Sequence, residues 1–287
     1  MKAKIKKWVV RKIEEQSRLE KFLVWLLDLP YFIRVQKVVS AVAGPKYARS
    51  RNLIQLDINY ACNLKCFSCN RSCGFAPSED HLTLEQIRRF MQESRDRNIQ
   101  WERIHILGGE PTLHPDFLEI LDELLAFKQA YCQNAVIEVF TNGFGPKVNR
   151  VIAKIRDGAV VHNTAKQSRV QQFSPFNLAP RDSLSYKFAD FSCGCEVIKT
   201  CGIGLSPYGY YPCAVAAAID RVLGLDIGRK SLPDPSDSMR DQMAVLCSYC
   251  GHFMTIRGSL IDAELISDSW REAYHNYQVS KPCMTFY

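Results

Sequence analysis

Cys62-Asn63-Leu64-Lys65-Cys66-Phe67-Ser68-Cys69 sets three cysteines in a C-x3-C-x2-C run. Three thiolates at this spacing suit three irons of a four-iron cluster and leave the fourth iron open to an external ligand, because soft sulfur is what iron–sulfur centres take. A zinc knuckle is the competing reading, with Cys73 as a fourth ligand to close the site.

Strand and helix patterns alternate on both sides of this run. Before it, Leu53 to Tyr60 reads as a strand with Ile54, Leu56 and Ile58 on one face. After it, Thr83-Leu84-Glu85-Gln86 is a capping-box sequence, and Leu84, Ile87, Phe90 and Met91 give the following helix an apolar face. Glu102 to Leu107 then reads as a strand entering the turn Gly108-Gly109-Glu110-Pro111, and Ala135 to Thr141 as another entering Asn142-Gly143. Between them, Phe117, Ile120, Leu121, Leu124 and Leu125 mark a second helix; a third covers Lys147 to Ile155, and Val160 to His162 form a fourth strand. This order calls for parallel strands joined by crossover helices. Regularity fades into a polar loop between Gln167 and Asn177. Four or five such units precede Cys193, too few for a closed eight-stranded barrel, so the expected fold is α/β, an open partial (β/α) barrel.

The cluster run, the GGEP turn and Thr141-Asn142-Gly143 together resemble the radical S-adenosylmethionine (radical SAM) family. The resemblance implies a [4Fe-4S] cluster on Cys62, Cys66 and Cys69, with SAM chelated at the open iron. It places SAM against Phe67, Gly108, Gly109, Glu110, Pro111, Thr141 and Asn142. The family commonly carries an aromatic residue just before the third cysteine; here Ser68 stands there, with Phe67 one place earlier. The implied chemistry is cleavage of SAM to a 5′-deoxyadenosyl radical that removes hydrogen from a small-molecule substrate. An external electron donor such as flavodoxin or ferredoxin would serve it.

A second cysteine group follows. Cys193, Cys195, Cys201 and Cys213 surround a hairpin that turns at Pro207 to Gly209, and Cys247-Ser248-Tyr249-Cys250 adds a C-x2-C pair. This resembles the twitch and SPASM modules of radical SAM enzymes and implies a second [4Fe-4S] cluster. The expected ligands are Cys201, Cys213, Cys247 and Cys250, with Cys195 as the alternative ligand. The hairpin departs from the family, which places four residues between its glycine and cysteine where Gly209 and Cys213 have three. A zinc ribbon uses similar pairs. Cys73, Cys193 and Cys195 are candidate hydrogen donors to a substrate radical; Cys132 reads as structural.

At 287 residues and 47% hydrophobic composition the chain has ample material for a core, and the spacing of its cysteines reads as metal ligation in a reducing cytoplasm. Residues 1–50 carry twelve Lys/Arg against four Asp/Glu, a balance of +8 that exceeds the +7 of the whole chain. Ile5, Trp8, Val9 and Ile13, then Leu19, Phe22, Leu23, Leu26 and Leu27, recur near helical spacing, and Pro30 is expected to stop that helix. Such a helix suits packing against the catalytic domain, a membrane surface or an acidic partner. The division expected is 1–50 as a basic helical segment, 51–192 as the partial barrel and 193–287 as the auxiliary-cluster module.

Candidate substrate contacts are His162, Asn177, Arg181, Tyr208, Tyr210 and Tyr211. The reading that follows is dehydrogenation or epimerisation of a polyol, sugar or related metabolite. Peptide modification or enzyme maturation is the second enzymatic reading, and a zinc-stabilised binding protein the non-enzymatic one.

Overall fold

The computed structural model describes residues 26, 28–167, 176–254 and 266–287. Six strands form one sheet: β1 (Leu53–Asn59), β2 (Arg103–Gly108), β3 (Val136–Thr141), β4 (Ala159–Asn163), β5 (Ile203–Ser206) and β6 (Gly209–Tyr211), in the order β4-β3-β2-β1-β5-β6. Every neighbouring pair is parallel except β5 with β6, which makes the sheet a partial (β/α) barrel.

The helices are α1 (Lys37–Ala43), α2 (Leu84–Asp96), α3 (Phe117–Ala130), α4 (Pro146–Ile152), α5 (Glu196–Thr200), α6 (Ala214–Leu223), α7 (Arg240–Leu246) and α8 (Asp268–Val279). α2 starts where its sequence says it should: Thr83 Oγ1 accepts from Gln86 N and the Gln86 side chain answers to Thr83 N, a reciprocal capping box. Ile87 and Phe90 of α2, with Phe117, Ile120 and Leu124 of α3, bury themselves on the sheet face formed by Ile54, Leu56, Ile104, Ile106, Ile137 and Val139. Alternate residues of the same strands, Gln55, Asp57, His105 and Glu138, leave the opposite face.

The cysteine-rich hairpin is not set apart from this sheet. β5 pairs with β1 in parallel, Ile54 opposite Ile203 and Leu56 opposite Leu205, so the hairpin covers the edge that a four-stranded partial barrel would leave open. A second core, with Ile198, Ala217, Leu246, Phe253 and Trp270 among its members, joins α5, α6, α7 and α8 behind it.

The N-terminal amphipathic segment 1–25 lies outside the described residues. Pro30 does not stop the helix: residues 28–34 are helical and Val35 N donates to Tyr31 O at 3.1 Å. A proline removes one donor, and the turns that follow it keep theirs.

Candidate active site and metal centres

Because β1, β2 and β3 are parallel, the cluster loop, the GGEP turn and Thr141-Asn142-Gly143 leave the sheet at the same edge, the carboxyl ends of the strands. Their backbones are sewn together there. Gly109 N donates to Asn59 O and Glu110 N to Ala61 O, both at 2.9 Å, and Asn59 Nδ2 donates to Glu110 O at 3.0 Å. Both glycines are required by this crossing: a Cβ on Gly108 would stand 2.3 Å from Asn59 O, and one on Gly109 2.3 Å from Ala61 O.

Glu110 is the hub of this edge. Fully buried, its carboxylate accepts from Thr112 N and Oγ1 (3.2 and 2.7 Å), Thr141 Oγ1 (2.8 Å) and Asn142 N (2.7 Å). Pro111 opens the short turn Pro111–Leu113 that Glu110 caps. Asn142 Nδ2 in turn donates to Asn63 Oδ1 at 2.9 Å, inside the cysteine run, so the end of β3 is tied to the cluster loop.

Cys62, Cys66 and Cys69 are free thiols of that loop. Burial pushes the Cys62 thiol up to about 12, and the neighbouring Cys69 and Cys66 sulfurs add to the shift despite an amide hydrogen bond from Leu64 N. Cys73 stands beside the triad: it hydrogen-bonds Cys69, depressing that thiol and raising its own. Among the described residues no three His, Cys, Asp or Glu side chains converge as the ligands of one metal ion do. An all-sulfur donor set spread along one loop fits an iron–sulfur cluster, in which each cysteine takes a different iron. Phe67 is half-buried, edge-on to Phe75 with ring centroids 5.4 Å apart, and Phe75 stacks on Tyr274.

The second cysteine group closes on a narrow cavity of about 10 Å³. Cys195, Cys213, Cys247 and Cys250 line it, and Val215, Ile219 and Leu246 make its apolar wall. Burial pushes Cys195 up to about 11 and Cys213 to about 12, and raises Cys247 and Cys250 as well. Four buried thiols in an apolar pocket are a donor set that fits a second cluster. Cys201, expected as a ligand, is not on this wall. It ends α5 while Cys195 begins it, and it is half-exposed beside Thr200 Oγ1, though near enough to help raise the Cys195 and Cys213 thiols.

On the sheet face away from α2 and α3 runs a hydrogen-bonded row that the sequence reading missed apart from His162. Arg71 of the cluster loop donates to Gln55 Oε1 (3.4 Å), and Gln55 Nε2 meets His105 Nδ1 (3.4 Å). His105 Nε2 meets Glu138 Oε2 (2.9 Å), and His162 Nε2 meets Glu138 Oε1 (2.7 Å). A carboxylate between two imidazoles makes both Nε2 atoms donors and leaves His105 Nδ1 to accept from Gln55. Burial lowers the His105 pKa despite Glu138, and Glu138 is held below its ordinary range by its two imidazoles although burial opposes its charge. Arg71 also clasps Asp57, which burial pushes up while Arg71 holds it down. The signal was present: Gln, Asp, His and Glu alternate with Ile, Leu and Val in parallel strands, where a doubly covered strand reads as a continuous apolar run.

The other candidate contacts are placed as follows. Asn177 is buried near the cluster loop; its Oδ1 accepts from Tyr274 Oη (2.8 Å), Tyr274 Oη also contacts Ser72 Oγ, and Asn177 Nδ2 has no partner among the described residues. Tyr208, Tyr210 and Tyr211 are not surface contacts. Each is buried and spends its hydroxyl on a carboxylate, Asp80, Glu93 and Asp220 respectively, because a hairpin added to the sheet must satisfy its own polar groups. Arg181 lies on the surface, stacked over Tyr249 at 4.6 Å and hydrogen-bonded to its hydroxyl, away from the polar row. Cys193, a candidate hydrogen donor, is fully buried in the second core with its sulfur toward Asp190.

Residues 57–164, which hold the cysteine run, both turns and the polar row from Asp57 to His162, match the family model of the Radical SAM superfamily. This stretch is a radical SAM domain. Among curated proteins the chain is 30% identical over 101 residues to the GTP 3′,8-cyclase of Campylobacter jejuni, a match covering 34% of this chain and 30% of that protein. It is 35% identical over 83 residues to the GTP 3′,8-cyclase of Actinobacillus succinogenes, covering 28% and 24%. The match thus spans about a third or less of the length of these relatives. The crystal structure of BtrN in complex with AdoMet and 2-DOIA aligns with 71% of this chain and 94% of that one, at 11% identity and a TM-score of 0.39. A radical SAM domain implies a [4Fe-4S] cluster with SAM, and the open edge that carries Cys62, Cys66, Cys69 and Glu110 is where this one would hold them.

Proposed function

We propose that this radical SAM protein dehydrogenates or epimerises a small, hydroxyl-rich metabolite such as a polyol or sugar. The observation that carries the reading is the row Gln55, His105, Glu138 and His162, a line of hydrogen-bonding groups on the sheet face that also bears the cluster-loop contact of Arg71. Bound on Cys62, Cys66 and Cys69, the cluster and SAM supply one-electron cleavage to a 5′-deoxyadenosyl radical able to take hydrogen from an unactivated carbon.

The rest falls to this chain's own residues. Glu110 fixes the ends of β2 and β3 against the cluster loop, which keeps a reacting carbon within the narrow range of positions that radical transfer tolerates. His162, which is 42% exposed at its side chain and held by Glu138, is placed to bind a substrate hydroxyl and to take its proton if the carbon is oxidised. Asn177 Nδ2, buried and unpaired among the described residues, is a second donor for a ligand at the cluster loop.

Cys195, Cys213, Cys247 and Cys250 are assigned to a second [4Fe-4S] cluster. Four thiolates would close every iron and suit it to accepting an electron rather than binding substrate. Cys73, beside Cys69, remains the hydrogen-donor candidate for an epimerase. We read the +8 balance of residues 1–50 as peripheral contact with a membrane surface, and a flavodoxin or ferredoxin as the electron donor.

Anaerobic incubation of the reconstituted protein with SAM, dithionite and a panel of polyols and amino sugars tests the reading. Substrate-dependent 5′-deoxyadenosine carrying deuterium from a labelled member of the panel supports it; 5′-deoxyadenosine that never takes up label from any member removes it.

A further inference from the structure

We infer that the face built by α1 and the turn 184–188 docks on an anionic membrane surface, its apolar side chains entering the headgroup layer. The inference rests on the membrane reading of the basic N-terminus and adds the residues that would touch lipid.

α1 has an inner and an outer side. Ser40 is buried and donates to Asp190 Oδ2 at 2.7 Å. Val38 and Val42, one turn apart on the opposite side, are 79% and 89% exposed. Two further exposed apolar residues belong to the turn 184–188, whose backbone is bonded to the start of α1. Lys37 N donates to Phe188 O at 3.0 Å and Gln36 bridges to Ala189, which brings Phe188, 66% exposed, against α1. Leu184 is 89% exposed in the same turn, while Tyr186 between them is buried against Phe32 at 5.3 Å. The turn is therefore anchored from beneath, and Leu184 and Phe188 are held outward by it. Scattered exposed apolar residues are ordinary; two on a helix and two on the turn bonded to its start are a concentration that asks for a partner.

Charge identifies the occupant. Exposed Lys37 and Lys187 flank the apolar side chains, with Lys187 Nζ 5.6 Å from the Phe188 ring centre. The adjoining acid, Asp190, is turned inward onto Ser40 and Ser192. Residues 1–25 of the sequence add eight Lys/Arg against three Asp/Glu. A second copy would bring like charge against like charge, whereas an anionic lipid surface accepts both the valines and the lysines. Among the described residues no helix is long and apolar enough to cross a membrane.

Flotation of the full chain with vesicles of phosphatidylcholine, alone or mixed with phosphatidylglycerol, tests this. The expected result is binding to the mixed vesicles only, with partitioning reduced about tenfold or more in Val38→Glu/Val42→Glu. An unchanged thermal midpoint checks that this surface variant is folded, and Lys37→Glu/Lys187→Glu should weaken binding in parallel. If the valine variant binds like the parent and high salt still releases both, the apolar face is not the contact and the basic N-terminus alone is. If the parent ignores phosphatidylglycerol, both readings fall. If the parent is a dimer without vesicles and the valine variant a monomer, the face belongs to a second copy and the inference is overturned.

Discussion

Arg71 Nε lies 3.2 Å from both carboxylate oxygens of Asp57, and Asp57 is fully buried. The pair joins the cluster loop to the middle of β1. Removing the acid alone would strand a buried guanidinium, which typically costs about 3–5 kcal/mol. Asp57→Asn should therefore lower the denaturant midpoint markedly, and Asp57→Leu/Arg71→Met should recover part of the loss, because an apolar replacement of both partners is often nearly neutral. Equilibrium unfolding of the three proteins checks this; equal stability of parent and Asp57→Asn would contradict the pairing.

Iron content separates Cys195 from Cys201. Parent protein reconstituted anaerobically should carry about eight irons, two cubane clusters. Cys195→Ala removes a sulfur from the cavity shared with Cys213, Cys247 and Cys250 and should drop the count to about four, while Cys201→Ala should leave it nearly unchanged. The reverse pattern would return Cys201 to the ligand set. Zinc in place of iron would replace the second cluster altogether.

The histidine row gives stability a pH dependence with a definite sign. Burial lowers His105 below its ordinary 6.5, and the flanking imidazoles hold Glu138 below its ordinary 4.5 although burial opposes it. Both folded-state shifts are downward, so the unfolded chain takes up these protons first as pH falls. The His105 contribution is complete above about 6.5 and fades below it; that of Glu138 is complete above about 4.5 and is lost as pH falls through its folded value. Thermal midpoints recorded from neutral to acidic pH should fall, and His105→Gln should flatten the first part of that fall. A midpoint that rises on acidification would contradict the assignment.

Glu110 is a further test of the rim. Glu110→Gln keeps the shape but replaces one of the two accepting oxygens with an amide nitrogen, set either against Asn142 N or against Thr112 N and Thr141 Oγ1, and a buried donor left unpaired costs about 1–3 kcal/mol. Stability should drop by that order, and 5′-deoxyadenosine formation should fall with it. Thr141→Val removes one of these bonds and should have the smaller effect on both.

The strands, the capping box at Thr83 and the rim turns were legible because each is signalled within a few residues: alternation, a Thr-x-x-Gln spacing, and glycines where two backbones cross. The polar row was legible in principle, since His105 and Glu138 interrupt otherwise apolar strands, but only once the opposite face was known to be taken by α2 and α3. What spacing could not carry was nonlocal. Nothing near Ile203 says that β5 will lie beside β1, and nothing near Cys195 or Cys201 says which end of a five-residue helix faces the cavity. The tyrosines 208, 210 and 211 misled for the same reason, because their carboxylate partners lie on other elements or further along the chain.

The central claim is that Cys62, Cys66 and Cys69 hold a cluster with one iron open to SAM. Low-temperature EPR of the anaerobically reconstituted, dithionite-reduced protein, recorded before and after SAM is added, tests it most directly, ideally in a Cys195→Ala background where the first cluster is observed alone. The account predicts a clear change in the reduced-cluster signal on SAM addition, absent from Cys62→Ala. A signal indifferent to SAM would contradict it.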